Sequence, residues 1–307
     1  MSWLLNSGRN RPIARAIDRG RSGADISAPL RRPDAGTNSN SMLELEFAHC
    51  SDTGRVRKHN EDFVGHWAPA NPAEARTHGW LFALADGVGG HAKGEVASRM
   101  AVEAIVDGFP KAPAGESHST LLQRLVQTAN TAIFEAALAA GPQGASMSTT
   151  LVACALRFDR AAVAHVGDSR CYLVRRGHAN LLTRDHTVTN EQLRLGVLSS
   201  QEASDASTRH LLSRSLGAAL FVNADIDEHQ VQPGDTLVLC CDGLHGALDD
   251  SDIARLISHS ADVNASAQEL VALANQRDGS DNISVQLIRI RSVERVGMYR
   301  GRPYKLH

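Results

Sequence analysis

Six carboxylates stand where short apolar runs begin, end or break: Glu61, Asp62, Asp86, Asp168, Asp242 and Asp281. Trp80 to Ala85 ends on Asp86-Gly87-Val88-Gly89-Gly90-His91, and Thr236 to Cys241 ends on Asp242-Gly243. Asp281-Asn282 leads into Ile283 to Ile290, Gly167-Asp168-Ser169-Arg170 interrupts two further runs, and Glu61-Asp62 opens a fifth at Phe63. Short runs bounded by turn residues read as buried strands. Strand ends in a packed sheet gather along an edge, so these six acids can converge. In one cleft each close pair would repel by roughly several kcal/mol at intermediate dielectric unless cations neutralise it. Oxygen donors without cysteine or clustered histidine select Mg2+ or Mn2+ over Zn2+. Glycines directly after Asp86 let a main-chain carbonyl join the carboxylate as a donor. Two such ions about 4 Å apart can share a water, lower its pKa and aim it at phosphorus. Each piece alone also has a plainer reading: Asp168 as a turn, Asp281-Asn282 as a cap or Asx-turn, Arg57 as a surface charge.

The elements that must position these groups follow from periodicity. Leu43 to Cys50 alternates as a strand, Ser51-Asp52-Thr53-Gly54 reads as a turn, and Phe63 to Trp67 is a second strand. Residues 68–78 read as a Pro/Ala/Glu loop. From Glu95, the residues Val96, Met100, Ala101, Ala104 and Ile105 recur at helical spacing, and a second helix is expected over about 119–140. Thr149 to Phe158 and Ala161 to Val166 form a hairpin signal across Asp159-Arg160. Cys171 to Arg175 and Thr236 to Cys241 are further strands. Residues 183–216 read as a polar, loosely helical insertion, and helices are expected at about 251–259 and 265–276. The mixture is α and β with mainly antiparallel pairing.

The chain of 307 residues is 42% hydrophobic, enough to bury a substantial core. It has no run of eighteen apolar residues to span a membrane and no signal-like N-terminus. The five cysteines lack metal-finger spacing and read as buried free thiols of a cytoplasmic protein. Residues 1–41 hold seven arginines against three aspartates, and 289–307 hold five arginines and a lysine against one glutamate. The body from 42 to 288 is left with a net −11. An acidic body with basic ends argues against a nucleic-acid-binding core. Residues 1–41, poor in apolar periodicity, read as a basic disordered arm.

In order, the chain carries Ser51-Asp-Thr-Gly-Arg-Val-Arg57-Lys-His-Asn60-Glu61-Asp62, Ala85-Asp86-Gly87-Val88-Gly89-Gly90-His91 with Gly94-Glu95-Val-Ala-Ser98, and Met147-Ser-Thr149-Thr150. It continues with Val166-Gly-Asp168-Ser-Arg170, Leu182-Thr-Arg-Asp185-His186-Thr, Asp242-Gly243-Leu244 and Gly279-Ser280-Asp281-Asn282-Ile-Ser284. Together these resemble the metal-dependent PP2C-type (PPM) serine/threonine protein phosphatases in their bacterial form. The resemblance covers roughly residues 43–290. It implies an α+β fold, a four-layer α-β-β-α sandwich of two mainly antiparallel sheets flanked by helices. It divides the chain into an arm (1–41), a phosphatase domain (42–290) with a flap at 183–216, and a basic tail (291–307).

By the same resemblance, Asp86 would bridge two tightly bound Mn2+ or Mg2+ ions. The Gly87 carbonyl, Asp242 and Asp281 would complete their shell, and Glu61 would act through a bound water. Asp62 would orient the attacking water, Arg57 would grip phosphate through a bidentate fork, and Asp168 with Asp242 would hold a third, weaker ion. His91 matches the general-acid histidine of eukaryotic members, where it would either protonate the leaving oxygen or shape the loop. Val88, Ser148 and Cys241 depart from a common Met, Gly and Ser without removing a ligand. The implied function is hydrolysis of phosphoserine and phosphothreonine by a metal-bridging water, in a monomer opposing a bacterial Ser/Thr kinase and its targets. The alternatives are a catalytically impaired binding module on the same fold, or a partner-specific regulatory phosphatase of a stress switch.

Overall fold

The computed structural model describes residues 42–88, 92–113, 115–141, 147–205, 208, 210–299 and 302–305. The arm expected over 1–41 lies outside them. In chain order the strands are β1 (Glu44–Asp52), β2 (Asp62–Trp67), β3 (Trp80–Val88), β4 (Ser148–Thr149), β5 (Leu151–Arg157), β6 (Arg160–Val166), β7 (Arg170–Arg175), β8 (His178–Leu181), β9 (Asp225–Gln230), β10 (Thr236–Cys240), β11 (Ile283–Ser292), β12 (Val296–Tyr299) and β13 (Arg302–Lys305). The helices are α1 (Pro72–Thr77), α2 (Ala92–Gly108), α3 (His118–Ala139), α4 (Val188–Arg194), α5 (Ser200–Asp205), α6 (Asp242–His245), α7 (Asp250–His259) and α8 (Val263–Arg277). One sheet runs β1-β11-β10-β7-β8 and the other β2-β3-β5-β6-β9, with β4 added to the end of β3. Their pairings are antiparallel.

Side-chain alternation along the strands makes the layers, because successive residues point to opposite faces. On β3, Leu81, Ala83 and Ala85 pack with Ala97, Ile105, Leu122 and Ile133 of α2 and α3. Between them, Phe82 and Leu84 face the other sheet and meet Leu237, Leu239 and Ile288. On β10, Val238 and Cys240 turn the other way, onto Ile253 and Leu270 of α7 and α8. Three buried seams therefore separate four layers, helices outside and sheets inside. Both inner strands are apolar on each face, as strands covered on two sides must be.

Three segments differ from expectation. Residues 68–78 contain α1, which Asn71 caps by accepting from Ala73 N and Glu74 N at 3.0 Å, with Pro72 in its first turn. This Asn-Pro-x-Glu start is a helix signal, but the helix buries no residue and so lacks apolar periodicity. The Ser51-Asp52 turn is instead the end of β1, because Ser51 and Asp52 pair with Ser284 and Ile283. Residues 291–307, read as a tail, hold the end of β11 and the β12–β13 hairpin. Among the described residues no helix is long and apolar enough to cross a membrane.

The inter-sheet seam fixes how the two sheets' ends meet. Phe82 is fully buried there, with the Phe47 ring edge-on at a centroid distance of 5.2 Å. Phe82→Ala is expected to cost about 3–5 kcal/mol, read as a lowered urea midpoint with an unchanged slope.

Candidate metal centre

Pairing of β2 with β3 puts Asp62 directly opposite Asp86. The backbone of Asp86 is fixed from the β4–β5 side. Its N–H donates to Thr150 Oγ1 at 3.0 Å, and its carbonyl accepts from Thr150 N at 2.8 Å and Thr149 Oγ1 at 2.7 Å. Glu61 is held as firmly. Its N–H donates to Asn282 Oδ1 at 2.8 Å, and its carbonyl accepts from Gly87 N at 3.1 Å and Ser98 Oγ at 2.5 Å. Asn282 also donates from Nδ2 to the Thr53 and His59 carbonyls, so one amide ties the 53–61 loop to the start of β11. The sequence shows Asn282 and the Thr149-Thr150 pair in the matching motifs, but not that they are the clamps on Glu61 and Asp86.

Two glycines make a backbone crossing at this point. A Cβ on Gly87 would stand 2.4 Å from the carbonyl carbon and oxygen of Gly94 and 2.8 Å from the Glu61 carbonyl oxygen. A Cβ on Gly94 would stand 2.8 Å from Glu61 Oε2.

A cavity of about 200 Å³ opens over this ledge, lined by Arg57, Glu61, Asp86, Gly87, Asp168, Asp242, Asp281 and Asn282 among others. Five of the six expected acids reach it. The sixth, Asp62, lies beneath, with a carboxylate oxygen within 4.8 Å of one from Asp86 and of Cys241 Sγ. His91 lies outside the described residues. His210, which sequence reading passed over, lines both this cavity and a larger hollow of about 670 Å³ beside it. That hollow runs between the 183–216 insertion and the Asp278–Asp281 turn, with Thr183, Asp185, Asn190 and His245 along its walls.

The electrostatics show what the cluster needs. Burial, then the charges of Asp62 and other neighbouring carboxylates, pushes Asp86 well above the usual carboxylate range. Burial, with Asp242 and Asp281 adding to it, raises Asp62 to about 7. Ser284 and Cys241 lie near enough to temper that rise, yet neither buried oxygen of Asp62 meets a hydrogen bond of proper geometry. Asp168 is raised to about 7 by burial and by Asp242, and Asp242 is raised by burial and by Asp281. Orphaned, buried, mutually repelling oxygens are a poor fit to protons alone and a good fit to divalent cations. Arg57 already touches the group, its Nη2 2.6 Å from Asp281 Oδ2.

The insertion is anchored to the same ledge. His186 Nδ1 accepts from Gly167 N at 3.2 Å, the His186 N–H donates to the Gly167 carbonyl, and the His186 ring stacks on His165 at 4.7 Å. Nε2 of His186 faces Asp225, which also takes Arg184 and Arg214. Asp168 therefore follows a glycine pinned to the insertion, while Ser169 bonds Thr150 and Arg170 forks onto Asp185. Asp168 itself lines the cavity.

Carboxylates raised in the folded state contribute stability that is complete below their unfolded pKa of about 4 and is lost as pH climbs through about 7. A bound cation removes that loss. The rise in Tm that Mn2+ gives over chelator-treated protein is expected to be larger at about pH 8 than at about pH 5.5. Buried His66, His118, His186 and His245, lowered to about 4 by burial, act oppositely but in both samples, so they cancel in the difference. A pH-independent gain would mean that other groups hold the ion.

The protein phosphatase 2C family model matches residues 57–286. The serine/threonine phosphatase stp of Listeria innocua is 34% identical over 263 residues, covering 85% of this chain and 99% of its own. The solved S. agalactiae serine/threonine phosphatase superposes with a TM-score of 0.74 at 33% identity, over 81% of this chain and all of that one. The catalytic domain of PstP, solved in complex with two manganese ions, gives 0.69 at 33% identity, over 82% of this chain and all of that one.

Proposed function

The chain belongs to the protein phosphatase 2C family and is a serine/threonine protein phosphatase, and from that premise we propose which of its residues perform the hydrolysis. Asp86, Asp242, Asp281 and the Gly87 carbonyl would hold two divalent ions, with Glu61 one water removed and Asp168 at a third, looser position. Mn2+ is the ion we favour first, because the related PstP domain was solved with two of them. When bound, such ions supply Lewis acidity and lower the pKa of water. The observation that carries this reading is the pair of buried, unpartnered Asp62 oxygens beside a strongly perturbed Asp86.

The chain's own groups then divide the work. Asp62, with both oxygens free of hydrogen bonds, accepts and orients a proton of the attacking water. Water attacks phosphorus directly, the ester oxygen leaves with the serine or threonine, and no phosphoenzyme forms. Arg57, at the cavity rim and 42% exposed, turns from Asp281 to fork two phosphate oxygens. His91 is the proposed donor to the leaving oxygen. The larger hollow beside the insertion has the size and position to take peptide flanking the phosphoresidue. A serine/threonine kinase is the natural counterpart, since the reaction undoes its product. An impaired binding module is not favoured, because all six acids are present.

Two measurements test the roles. Asp86→Ala is expected to lower kcat with Mn2+ by about a thousandfold or more while the fold survives; appreciable turnover by folded variant would remove Asp86 from the bridging role. Arg57→Ala is expected to raise KM for a phosphopeptide more than it lowers kcat. An unchanged KM would leave Arg57 as a partner of Asp281 alone.

A further inference from the structure

The sequence offered Cys241 as one more buried thiol, and the fold sets it against the acids. Cys241 follows β10 and stands at the N-cap of α6, with no exposed surface. Its Sγ and one oxygen each from Asp62 and Asp86 lie within 4.8 Å of one another. Asp62 is 7% exposed, and neither of its oxygens has a hydrogen-bond partner. The sulfur accepts the Ser284 N–H at 3.1 Å and donates to the Asn282 carbonyl at 3.3 Å.

We propose that Cys241, Asp62 and Asp86 form a site for a thiophilic divalent ion, Zn2+ above all, at the floor of the cleft and in competition with the hard ions above it. A sulfur donor changes the selectivity of the group. Thiolate with carboxylates prefers Zn2+ over Mg2+ or Mn2+, and Zn2+ stands above Mn2+ in affinity for a given donor set. Three protein ligands leave a fourth tetrahedral position open toward the cavity. Zn–S of about 2.3 Å and Zn–O of about 2.0–2.2 Å require the three atoms to draw inward, a movement that the unpartnered Asp62 carboxylate opposes with no hydrogen bond. On binding, the Cys241 S–H bond breaks, an S–Zn bond forms, the proton passes to solvent, and no electron is transferred. The Ser284 N–H already aimed at sulfur is the outer contact that a metal thiolate takes. By contrast, in the His165–His186–Asp225 group both ring nitrogens of His186 and Nε2 of His165 are engaged in anchoring the insertion.

The competition with hard ions rests on the proposed hydrolytic roles of Asp62 and Asp86, whereas the sulfur-bound ion itself is tested by spectroscopy without reference to turnover. Co2+ titrated into the chelator-stripped full chain is expected to give a near-ultraviolet sulfur-to-metal charge-transfer band that Zn2+ abolishes. The band is expected to persist in Cys50→Ser and to be absent in Cys241→Ser, whose Zn2+ affinity falls about tenfold or more. Asp62→Asn serves if Cys241→Ser does not fold, and is expected to weaken Co2+ binding and the band together. No band in the wild type, the same band in Cys241→Ser, or undiminished Co2+ affinity in Asp62→Asn would overturn the site.

Discussion

Everything in this fold answers to one unfavourable contact. Antiparallel pairing of β2 and β3 sets Asp62 opposite Asp86, and like charges facing each other across a strand pair destabilise it. Burial makes this worse, and Asp242, Asp281 and Asp168 arrive from other elements to add their own fields. The pair is tolerated because packing decides the register. Phe82 and Leu84 point to one seam and Leu81, Ala83 and Ala85 to the other, so a one-residue slip would turn every one of them around. The hydrophobic layers hold the acids where their own repulsion would not leave them. Such stored repulsion is also what gives a cation a reason to bind.

Much of this was readable because it depends on local pattern. An apolar run that meets a carboxylate marks a strand, and β10 and β11 are found beside Asp242 and Asp281 as that rule puts them, while β3 runs on past Asp86 to Val88 because Asp62 and Thr149 pair with Asp86 and Gly87. Helices with an apolar stripe, α2, α3, α7 and α8, were equally plain. What escaped depends on partners distant in sequence or on surface. Helix α1 has a good cap but no buried face. The last two residues of β1 look like a turn until Ser284 and Ile283 arrive from more than two hundred residues away to pair with them. Asn282 looks like a turn residue until its amide is seen bonded to three separate parts of the 53–61 loop. Cys241 reads in sequence as a core thiol where the family commonly has Ser, and no spacing rule relates it to Asp62.

Arg57 and Asp281 join two functions that sequence treats separately. The guanidinium expected to hold phosphate rests on a carboxylate expected to hold metal. Both side chains are partly exposed, so the contact itself contributes little stability. Its meaning is geometric: the group proposed to grip the anion and the group proposed to hold a cation already share one rim. Across the cavity, the His186–Gly167 contacts tie the insertion to the residue beside Asp168, so the wall of the hollow and this acid share one ledge.

The crossing of Gly87 and Gly94 limits how this protein can diverge. Gly87 has no room for a side chain because of the Gly94 backbone, and a side chain on Gly94 would press on the Glu61 carboxylate and on the Gly87 backbone. Every single-codon change from glycine adds at least one carbon, and neither replacement makes room for the other. Sequence drift can pass freely over α1 or the outer helix faces, but at this point it has no intermediate step. Descendants of the chain can alter the insertion, the arms and the substrate they serve, while this crossing stays as a fixed point in their history.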